Sequence, residues 1–256
     1  MTPLRLGIDA RELAGHVTGA GVYLLNMLRH WLPRADARIT LITHRALAAE
    51  AAALRGSERA ANTVVPAAVG GTRWEQLVLP RAAAASDVLF SPAYTAPLMI
   101  KIPTVHALHD VSFAAHPEWY PQPGRFRRNF IARRAAKRAA AVITISDFSA
   151  GEITRHFRIP REKIHVIPPG APQQQALIGT RREPVVAYVG SIFNRRHVPA
   201  LIEAFEEVVR AHPDARLFLA GANRTWPPQD IRALIDASPA RAPMVWHDRA
   251  SNAQVA

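Results

Sequence analysis

Two adjacent arginines stand in a segment that could bind a diphosphate. Arg195 and Arg196 follow Gly190 and Ser191, between a short apolar run and an amphipathic stretch. Guanidinium groups bind phosphates through charge-assisted, bidentate hydrogen bonds, and the start of a helix beside them adds a favourable dipole. The pattern predicts a phosphate-binding loop between a strand and a helix. A solvated basic turn that binds nothing is the alternative.

The run of Gly19, Ala20 and Gly21 is a second candidate for anion binding. Glycines ahead of a helix let backbone N–H groups approach a phosphate closely. The dinucleotide fingerprint is incomplete, because Leu24 occupies its third glycine position and no acidic residue ends the second predicted strand. An NADP-dependent oxidoreductase stays open through Arg45, and so does a glycine turn without a ligand.

His109 and Asp110 directly follow an apolar segment of the buried-strand type. Ligands of open α/β sheets bind beyond the carboxyl ends of the strands, so both side chains are candidates for substrate contact. His106 stands three residues earlier and therefore on the opposite face of the strand, which disfavours a metal bound by the two histidines. The alternative is that His109 hydrogen-bonds only to backbone groups of its own loop.

Short apolar segments alternate with amphipathic segments along the whole chain. Strands are predicted at residues 4–9, 38–43, 62–65, 87–90, 104–108, 141–145, 163–167, 185–189, 216–220 and 244–246. Helices are predicted at residues 22–32, 74–85, 125–139, 198–211 and 229–237. A capping box formed by Ser149 and Glu152 is predicted to open one more helix. This alternation predicts an α/β fold of parallel sheets flanked by helices.

A polar, proline-rich stretch interrupts the alternation and predicts a boundary between two domains. We assign residues 1–170 to an N-terminal Rossmann-like domain, 171–183 to a linker and 184–256 to a C-terminal Rossmann-like domain. The second domain is expected to be incomplete, because its residues provide only three predicted strands.

The composition excludes several classes of protein. The chain of 256 residues is 49% apolar and 20% charged, which is typical of a globular protein rather than a disordered one. It has no cysteine, which excludes disulfides, thiolate metal sites and a cysteine nucleophile. It also has no Asp-x-Asp pair, so the paired carboxylates that would hold a catalytic divalent metal are missing. We expect no cofactor. The charged first residues do not resemble a secretory leader, and we expect a cytoplasmic protein.

Positive charge is concentrated in one part of the chain. The net charge is +12, 29 of the 32 basic residues are arginine, and residues 121–165 carry eleven basic against three acidic residues. A basic helix at 125–138 suits contact with an anionic membrane, an anionic acceptor or nucleic acid. A solvated helix face and a non-enzymatic, basic nucleic-acid-binding protein are the alternatives.

Seven short motifs resemble the family 4 (group 1) glycosyltransferases, especially the mannosyltransferase-like members. They are GIDAR at 7–11, TGAGVY at 18–23, HDVSF at 109–113, HPEW at 116–119, ISDFS at 145–149, KIHVIPPG at 163–170 and VGSIFNRRH at 189–197. The resemblance implies a GT-B architecture, in which two Rossmann-like domains face each other across a cleft. It further implies metal-independent hexosyl transfer with retention, from a nucleotide-diphosphate sugar to a glycan or lipid-linked acceptor in polysaccharide biosynthesis.

The resemblance also implies three groups of site residues. His109 would lie beside the transferred sugar as the catalytic residue. The donor phosphates would be bound by Gly19, Ala20, Gly21, Arg195 and Arg196. The substrates would be contacted by Asp110, Ser146, Gly190 and Ser191.

The chain departs from the family pattern at two positions and at its end. Arg196 replaces a usual lysine, and His197 replaces a usual asparagine. The later family segment, with its two glutamates that contact the donor, does not occur before residue 256. We therefore expect a truncated chain with little or no activity of its own, peripheral on the inner face of the membrane if it contacts one.

Overall fold

The structure, a computed structural model, describes residues 2–15, 17, 19–34, 36–52, 54, 60–67, 69–121, 124–170 and 183–248. The chain divides into two compact units. Unit 1 comprises residues 1–115 and 123–171, and unit 2 comprises residues 116–122 and 172–256. Apart from residue 183, the predicted linker lies outside the described residues. The domain limits 1–170 and 184–256 therefore stay predictions.

The described strands of unit 1 form one parallel sheet. They are β1 (Leu4–Asp9), β2 (Ala37–Thr43), β3 (Ala60–Val64), β4 (Val88–Ser91), β5 (Thr104–Ala107), β6 (Ala141–Thr144) and β7 (Ile164–Val166). Their order across the sheet is β3-β2-β1-β4-β5-β6-β7, and every adjacent pair is parallel. All carboxyl ends consequently meet at one edge of the sheet, which is where ligands of such folds bind.

Helices connect these strands. They are α1 (Gly19–Trp31), α2 (Ala49–Ala52), α3 (Gly71–Leu77), α4 (Leu79–Ala82), α5 (Ser112–Ala115), α6 (Gly124–Arg138) and α7 (Asp147–Phe157). The main core cluster joins α1 to the sheet through Leu24 and Leu28, which pack with Ile8, Leu41 and Phe90. All five side chains are at most 2% exposed, so the amphipathic face of α1 is fully buried.

Unit 2 repeats the same alternation on a smaller scale. Its elements are β8 (Val185–Val189), α8 (Val198–Ala211), β9 (Arg216–Ala220), α9 (Ile231–Ala237) and β10 (Met244–His247). The described strands form a parallel sheet in the order β10-β9-β8, with a core that includes Ile202, Phe205 and Leu219. The predicted α/β class with parallel sheets is thereby confirmed, and the predicted bounds of α8 and β9 agree with the structure.

Two local predictions are wrong. The helix predicted at 74–85 is divided into α3 and α4 at Val78, because Pro80 lacks the N–H that would continue the helix and instead stands in the first turn of α4. The predicted capping box at Ser149 is also wrong. The helix begins earlier, at Asp147, and is capped by Ser146, whose hydroxyl accepts a hydrogen bond from the backbone N–H of Ser149 at 3.1 Å.

Candidate functional site

A cavity of about 410 Å³ opens at the carboxyl edge of the unit 1 sheet. Its walls come from segments that follow β1, β2 and β4, together with single residues of α3 and α6. The lining residues are Asp9, Arg11, Glu12, His44, Gly71, Pro92, Ala93, Tyr94, Thr95 and Arg128. A concave site of this volume, with several polar groups in its wall, is large enough for a small molecule or a sugar.

Arg11 connects two buried carboxylates beside the cavity. Its Nε and Nη2 donate to Asp9 at 2.8 and 2.6 Å, and Nη2 also donates to Glu75 at 2.5 Å. Burial alone would lower the pKa of Arg11, but the two carboxylates raise it above its ordinary value. Thr95 and Gln76 each donate a further hydrogen bond to Glu75 at 2.6 Å. This cluster is therefore satisfied internally and fixes the wall of the cavity.

Glu12 and His44 are titratable groups of the same wall with shifted pKa values. Burial, reinforced by the Asp9 carboxylate, raises the pKa of Glu12. Burial and the positive charges of Arg45 and Arg11 lower the pKa of His44. The Nδ1 atom of His44 is buried and has no hydrogen-bond partner among the described residues. An imidazole and a carboxyl group in the wall of one cavity suit the recognition of sugar hydroxyls, which both donate and accept hydrogen bonds.

His109 lies just beyond the carboxyl end of β5 and is held by its surroundings. Its Nε2 hydrogen-bonds to the carbonyl of Pro92 at 2.9 Å, which assigns the ring proton to Nε2. The rings of Tyr23 and Tyr94 meet the imidazole edge-on, with centroids 4.7 and 6.1 Å away. Burial lowers the pKa of His109, so the neutral ring predominates at neutral pH. His109 thus forms a backbone hydrogen bond, as the alternative interpretation of this residue expects. Its Nδ1 atom is the ring nitrogen that a ligand could use.

Asp110 holds the loop that carries His109. One carboxylate oxygen accepts hydrogen bonds from the backbone N–H and the hydroxyl of Ser112, at 2.9 and 2.5 Å. The other accepts one from the hydroxyl of Tyr94 at 3.0 Å. Asp110 therefore fixes the start of α5 and links it to the cavity wall, because Tyr94 also lines the cavity.

The three predicted glycine-loop residues form the first turn of α1. A Cβ atom at Gly21 would collide with the carbonyl oxygen of Glu12, so this glycine is required for the close packing of α1 on the turn after β1. A Cβ at Gly19 would meet no atom within 4 Å. The start of the helix at Gly19 and Ala20 is thus the open part of this segment.

Ser146 follows β6 at the same edge of the sheet and caps α7. Its hydroxyl both accepts from the Ser149 N–H and donates to the Ser149 hydroxyl, each at 3.1 Å. Its side chain consequently fixes the strand-to-helix turn after β6, and its contact with a substrate stays a prediction.

The segment that follows β8 in unit 2 is tightly constrained. Gly190 has a φ angle of 139°, a conformation that favours glycine. A Cβ at Gly221, in the turn after β9, would overlap the carbonyl of Gly190, so the two turns can pack this closely only because position 221 is a glycine. The Tyr188 hydroxyl donates to the carbonyl of Ser191 at 2.9 Å, and Ile192 is fully buried. The loop before α8 is therefore fixed by two contacts: the Gly221 turn packs against Gly190, and the Tyr188 hydroxyl bonds to Ser191.

Arg195 and Arg196 stand at the end of this loop, just before α8. The guanidinium of Arg195 lies over the Phe193 ring at 4.3 Å, and its Nη1 donates to the Tyr120 hydroxyl at 3.1 Å. Arg195 is half-buried and Arg196 is exposed. Within the described part of the chain, neither forms an ion pair with a carboxylate. Both positive charges remain available to an anion.

The structure brings some predicted site residues together and adds others that the sequence analysis missed. Tyr23 of α1 contacts His109, so the glycine turn and the histidine adjoin one another through a single ring. None of the predicted residues lines the cavity, whose polar wall includes the unpredicted Glu12, His44 and Arg128. Glu12 follows β1 and His44 follows β2 in the chain. The strand-end rule that selected His109 could therefore have found both of them.

Solved structures define the architecture as that of the GT-B glycosyltransferases. The chain is similar to Anabaena HepE in complex with UDP and glucose, with a TM-score of 0.67, 18% identity, and coverage of 98% of this chain and 70% of HepE. A glycosyltransferase from Rickettsia africae matches with a TM-score of 0.59 and 13% identity, over 98% of this chain and 70% of that protein.

The family model of Glycosyltransferase Family 4 matches residues 17–175, which is more than half of the chain. The chain belongs to this family. An alpha-D-kanosaminyltransferase from Streptomyces kanamyceticus is 30% identical over an alignment of 118 positions, and the match covers 41% of this chain and 30% of that enzyme. The match thus spans less than a third of this curated relative.

Two further observations concern the described residues alone. None of their helices combines the length and the apolar character needed to cross a bilayer. Their histidine, aspartate and glutamate side chains form no cluster of three or more that could hold a metal ion.

Proposed function

We propose that this chain takes part in transferring a sugar, with retention and without a metal, from a nucleoside-diphosphate donor to a glycan or lipid-linked acceptor. The observation that carries the proposal is the pair Arg195 and Arg196, two guanidinium groups without a described carboxylate partner, in a chain of Glycosyltransferase Family 4. They follow the carboxyl end of β8, where ligands of parallel sheets bind.

The chemical demand of such a transfer is the stabilisation of a leaving diphosphate. Negative charge grows on the diphosphate as the glycosidic bond breaks, and fixed donors aimed at it lower the barrier by roughly 3–4 kcal/mol each. Arg195 suits this role because two rings and a hydroxyl already hold its guanidinium in place. Arg196 adds charge, while Gly190 and Ser191 offer backbone groups of a rigid loop to the donor.

We assign to the unit 1 residues the roles that their motifs imply. Gly19, Ala20 and Gly21 present the N-terminal turn of α1 to phosphate, and Gly19 has open space before it. His109 contacts the transferred sugar through Nδ1. Asp110 and Ser146 contact the substrates at the ends of β5 and β6, where their side chains also hold the following turns.

The cavity of unit 1 is our proposed acceptor site. Glu12 and His44 would hydrogen-bond to acceptor hydroxyls, and the ion cluster around Arg11 would keep the wall rigid. Arg128 of α6 provides a cation in the wall. A phosphate or carboxylate on the acceptor would pair with it.

UDP is the donor nucleotide to test first, because HepE was solved in complex with UDP and glucose. Isothermal titration of the chain with UDP in the presence of EDTA should show saturable binding. Incubation with UDP-glucose and a lipid-linked saccharide, followed by NMR of the anomeric proton, tests transfer and its stereochemistry. Saturable binding of NADPH without any binding of nucleoside diphosphates would overturn the proposal. So would tight DNA binding with a steep salt dependence and no nucleotide binding.

A further inference from the structure

The outward face of α6 carries two largely exposed phenylalanines. The buried face of this helix consists of small and aliphatic residues, namely Ile131, Ala132, Ala135 and Ala136. Phe126 and Phe130 lie one helical turn apart on the opposite side, 61% and 64% exposed. Exposed aromatic rings at this spacing form a continuous apolar ridge on the protein surface.

Unpaired cations flank this ridge. Arg127, Arg133, Arg134 and Lys137 project from the sides of α6 that adjoin the two rings, and α6 contains no acidic residue. In the described residues none of these four side chains forms an ion pair. By contrast, the exposed Arg34, like several other surface arginines, is paired with a nearby carboxylate. Within the described residues, no carboxylate therefore compensates the charge of these four side chains.

This combination fits an anionic lipid surface better than a solvated helix face. Helices that lie on membranes carry lysine and arginine beside phenylalanine, so that the cations meet lipid phosphates while the rings enter the headgroup region. A purely solvated basic face gains nothing from exposed rings. Phe126 is further associated with a cation, because the guanidinium of Arg125 lies over its ring at 4.7 Å.

We propose that the face of α6 formed by Phe126, Phe130 and the flanking cations docks on an anionic lipid bilayer. We call it the α6 face. The same helix provides Arg128 to the cavity wall from the side that faces the protein, so docking would hold the cavity one helix diameter (~10 Å) from the lipid headgroups. This last consequence rests on the proposed function: an acceptor carried on a lipid phosphate would then reach the cavity without leaving the bilayer.

Co-sedimentation with vesicles tests the proposal on the whole chain. Wild-type protein should sediment with vesicles of phosphatidylcholine mixed with phosphatidylglycerol, and not with phosphatidylcholine alone. The variant Phe126→Ser/Phe130→Ser should weaken this binding by about tenfold, since it removes the ridge and keeps every charge. The matched control Leu77→Ser/Met99→Ser removes two other apolar side chains of unit 1, 55% and 84% exposed, and should bind as the wild type does.

A charge variant tests the second component of the α6 face. Arg133→Gln/Arg134→Gln/Lys137→Gln keeps both rings and should abolish the preference for anionic vesicles. Equal sedimentation of the phenylalanine variant and the wild type would overturn the proposal. Equal binding of the wild type to neutral and anionic vesicles would do the same, as would DNA binding that exceeds vesicle binding at the same salt concentration. Vesicle binding needs no donor, so a failure here leaves the UDP titration unaffected, and the reverse also holds.

Discussion

Arg195 donates a hydrogen bond from Nη1 to the hydroxyl of Tyr120, a residue 75 positions earlier in the chain, at 3.1 Å. Both residues belong to unit 2, because the segment 116–122 packs with it. The Tyr120 ring lies 5.9 Å from the guanidinium, and the Phe193 ring lies 4.3 Å from it. A long, flexible side chain is thus held in one position before any anion binds, which lowers the entropy cost of binding.

The first prediction concerns this arginine. Arg195→Ala should weaken UDP binding by about 1.5–3 kcal/mol, because it removes a charge-assisted contact. Tyr120→Phe keeps the ring and removes only the hydroxyl, so its effect should have the same sign and be smaller. Isothermal titration measures both. Arg210→Ala, which removes an arginine of α8 that is paired with Glu207, is the control and should leave the affinity unchanged.

The second prediction concerns the buried ion cluster of unit 1. Arg11→Met keeps the volume of the side chain but leaves the carboxylates of Asp9 and Glu75 buried without a cation. The free energy of unfolding should fall by about 3–5 kcal/mol in urea denaturation. Arg34→Met breaks an exposed pair with Asp36 and should change stability very little. Equally small effects of the two substitutions would show that the cluster is not stabilising.

The third prediction is a pH dependence of stability that arises from His106. Burial of this residue within β5 lowers its pKa to about 4. The unfolded chain therefore binds a proton near pH 6.5, which the folded chain does not bind until about pH 4. Above the ordinary histidine pKa the lowered pKa has no effect on stability, and the free energy of unfolding falls as the pH falls from about 6.5 to about 4. Burial shifts the pKa values of His44 and His109 in the same direction.

Urea unfolding at a series of pH values measures this effect. The free energy of unfolding should rise between about pH 4 and pH 6.5, and His106→Gln should flatten that rise. His30→Gln, on the exposed side of α1, is the control because it removes a histidine without touching the sheet. If the two variants keep the same slope as the wild type, the third prediction is wrong.

The fourth prediction concerns the end of α7. Arg158 caps this helix in the left-handed conformation, with φ 56° and ψ 49°, which costs a residue with a Cβ about 1–2 kcal/mol. Arg158→Gly should raise the free energy of unfolding by about 0.5–1 kcal/mol, after the greater freedom of glycine in the unfolded chain is subtracted. Arg155→Gly, within the same helix, should instead destabilise by about 1 kcal/mol. Thermal denaturation distinguishes the two signs.

A related detail explains a departure from the family pattern. His197, which stands where the resemblance expects asparagine, adopts a left-handed conformation with φ 51° directly before α8. Asparagine enters this region more readily than most residues, and histidine is also enriched there. The substitution is therefore compatible with the same turn.

Much of the fold follows from local patterns along the chain. The apolar alternation and its spacing predict the strands, the parallel arrangement and the bounds of α8 and β9, because side-chain periodicity depends only on neighbouring residues. The position of His109 beyond β5 is predictable for the same reason. The start of α7 is not predictable from local pattern, because Ser146 and Ser149 can both cap a helix. Ser146 is the cap because β6 ends just before it.

The sequence by itself determined the α/β alternation, the strand ends at which functional groups stand, the excess of arginine and the motifs shared with the glycosyltransferases. Only the tertiary structure decided which side chains meet. Arg11 reaches Glu75 across 64 residues, Tyr94 of the cavity wall bonds to Asp110, and Phe126 and Phe130 remain uncovered. The physical reason is that such pairings depend on strand order and on the paths of loops. Both are properties of the packed sheet, and no local pattern along the chain contains them.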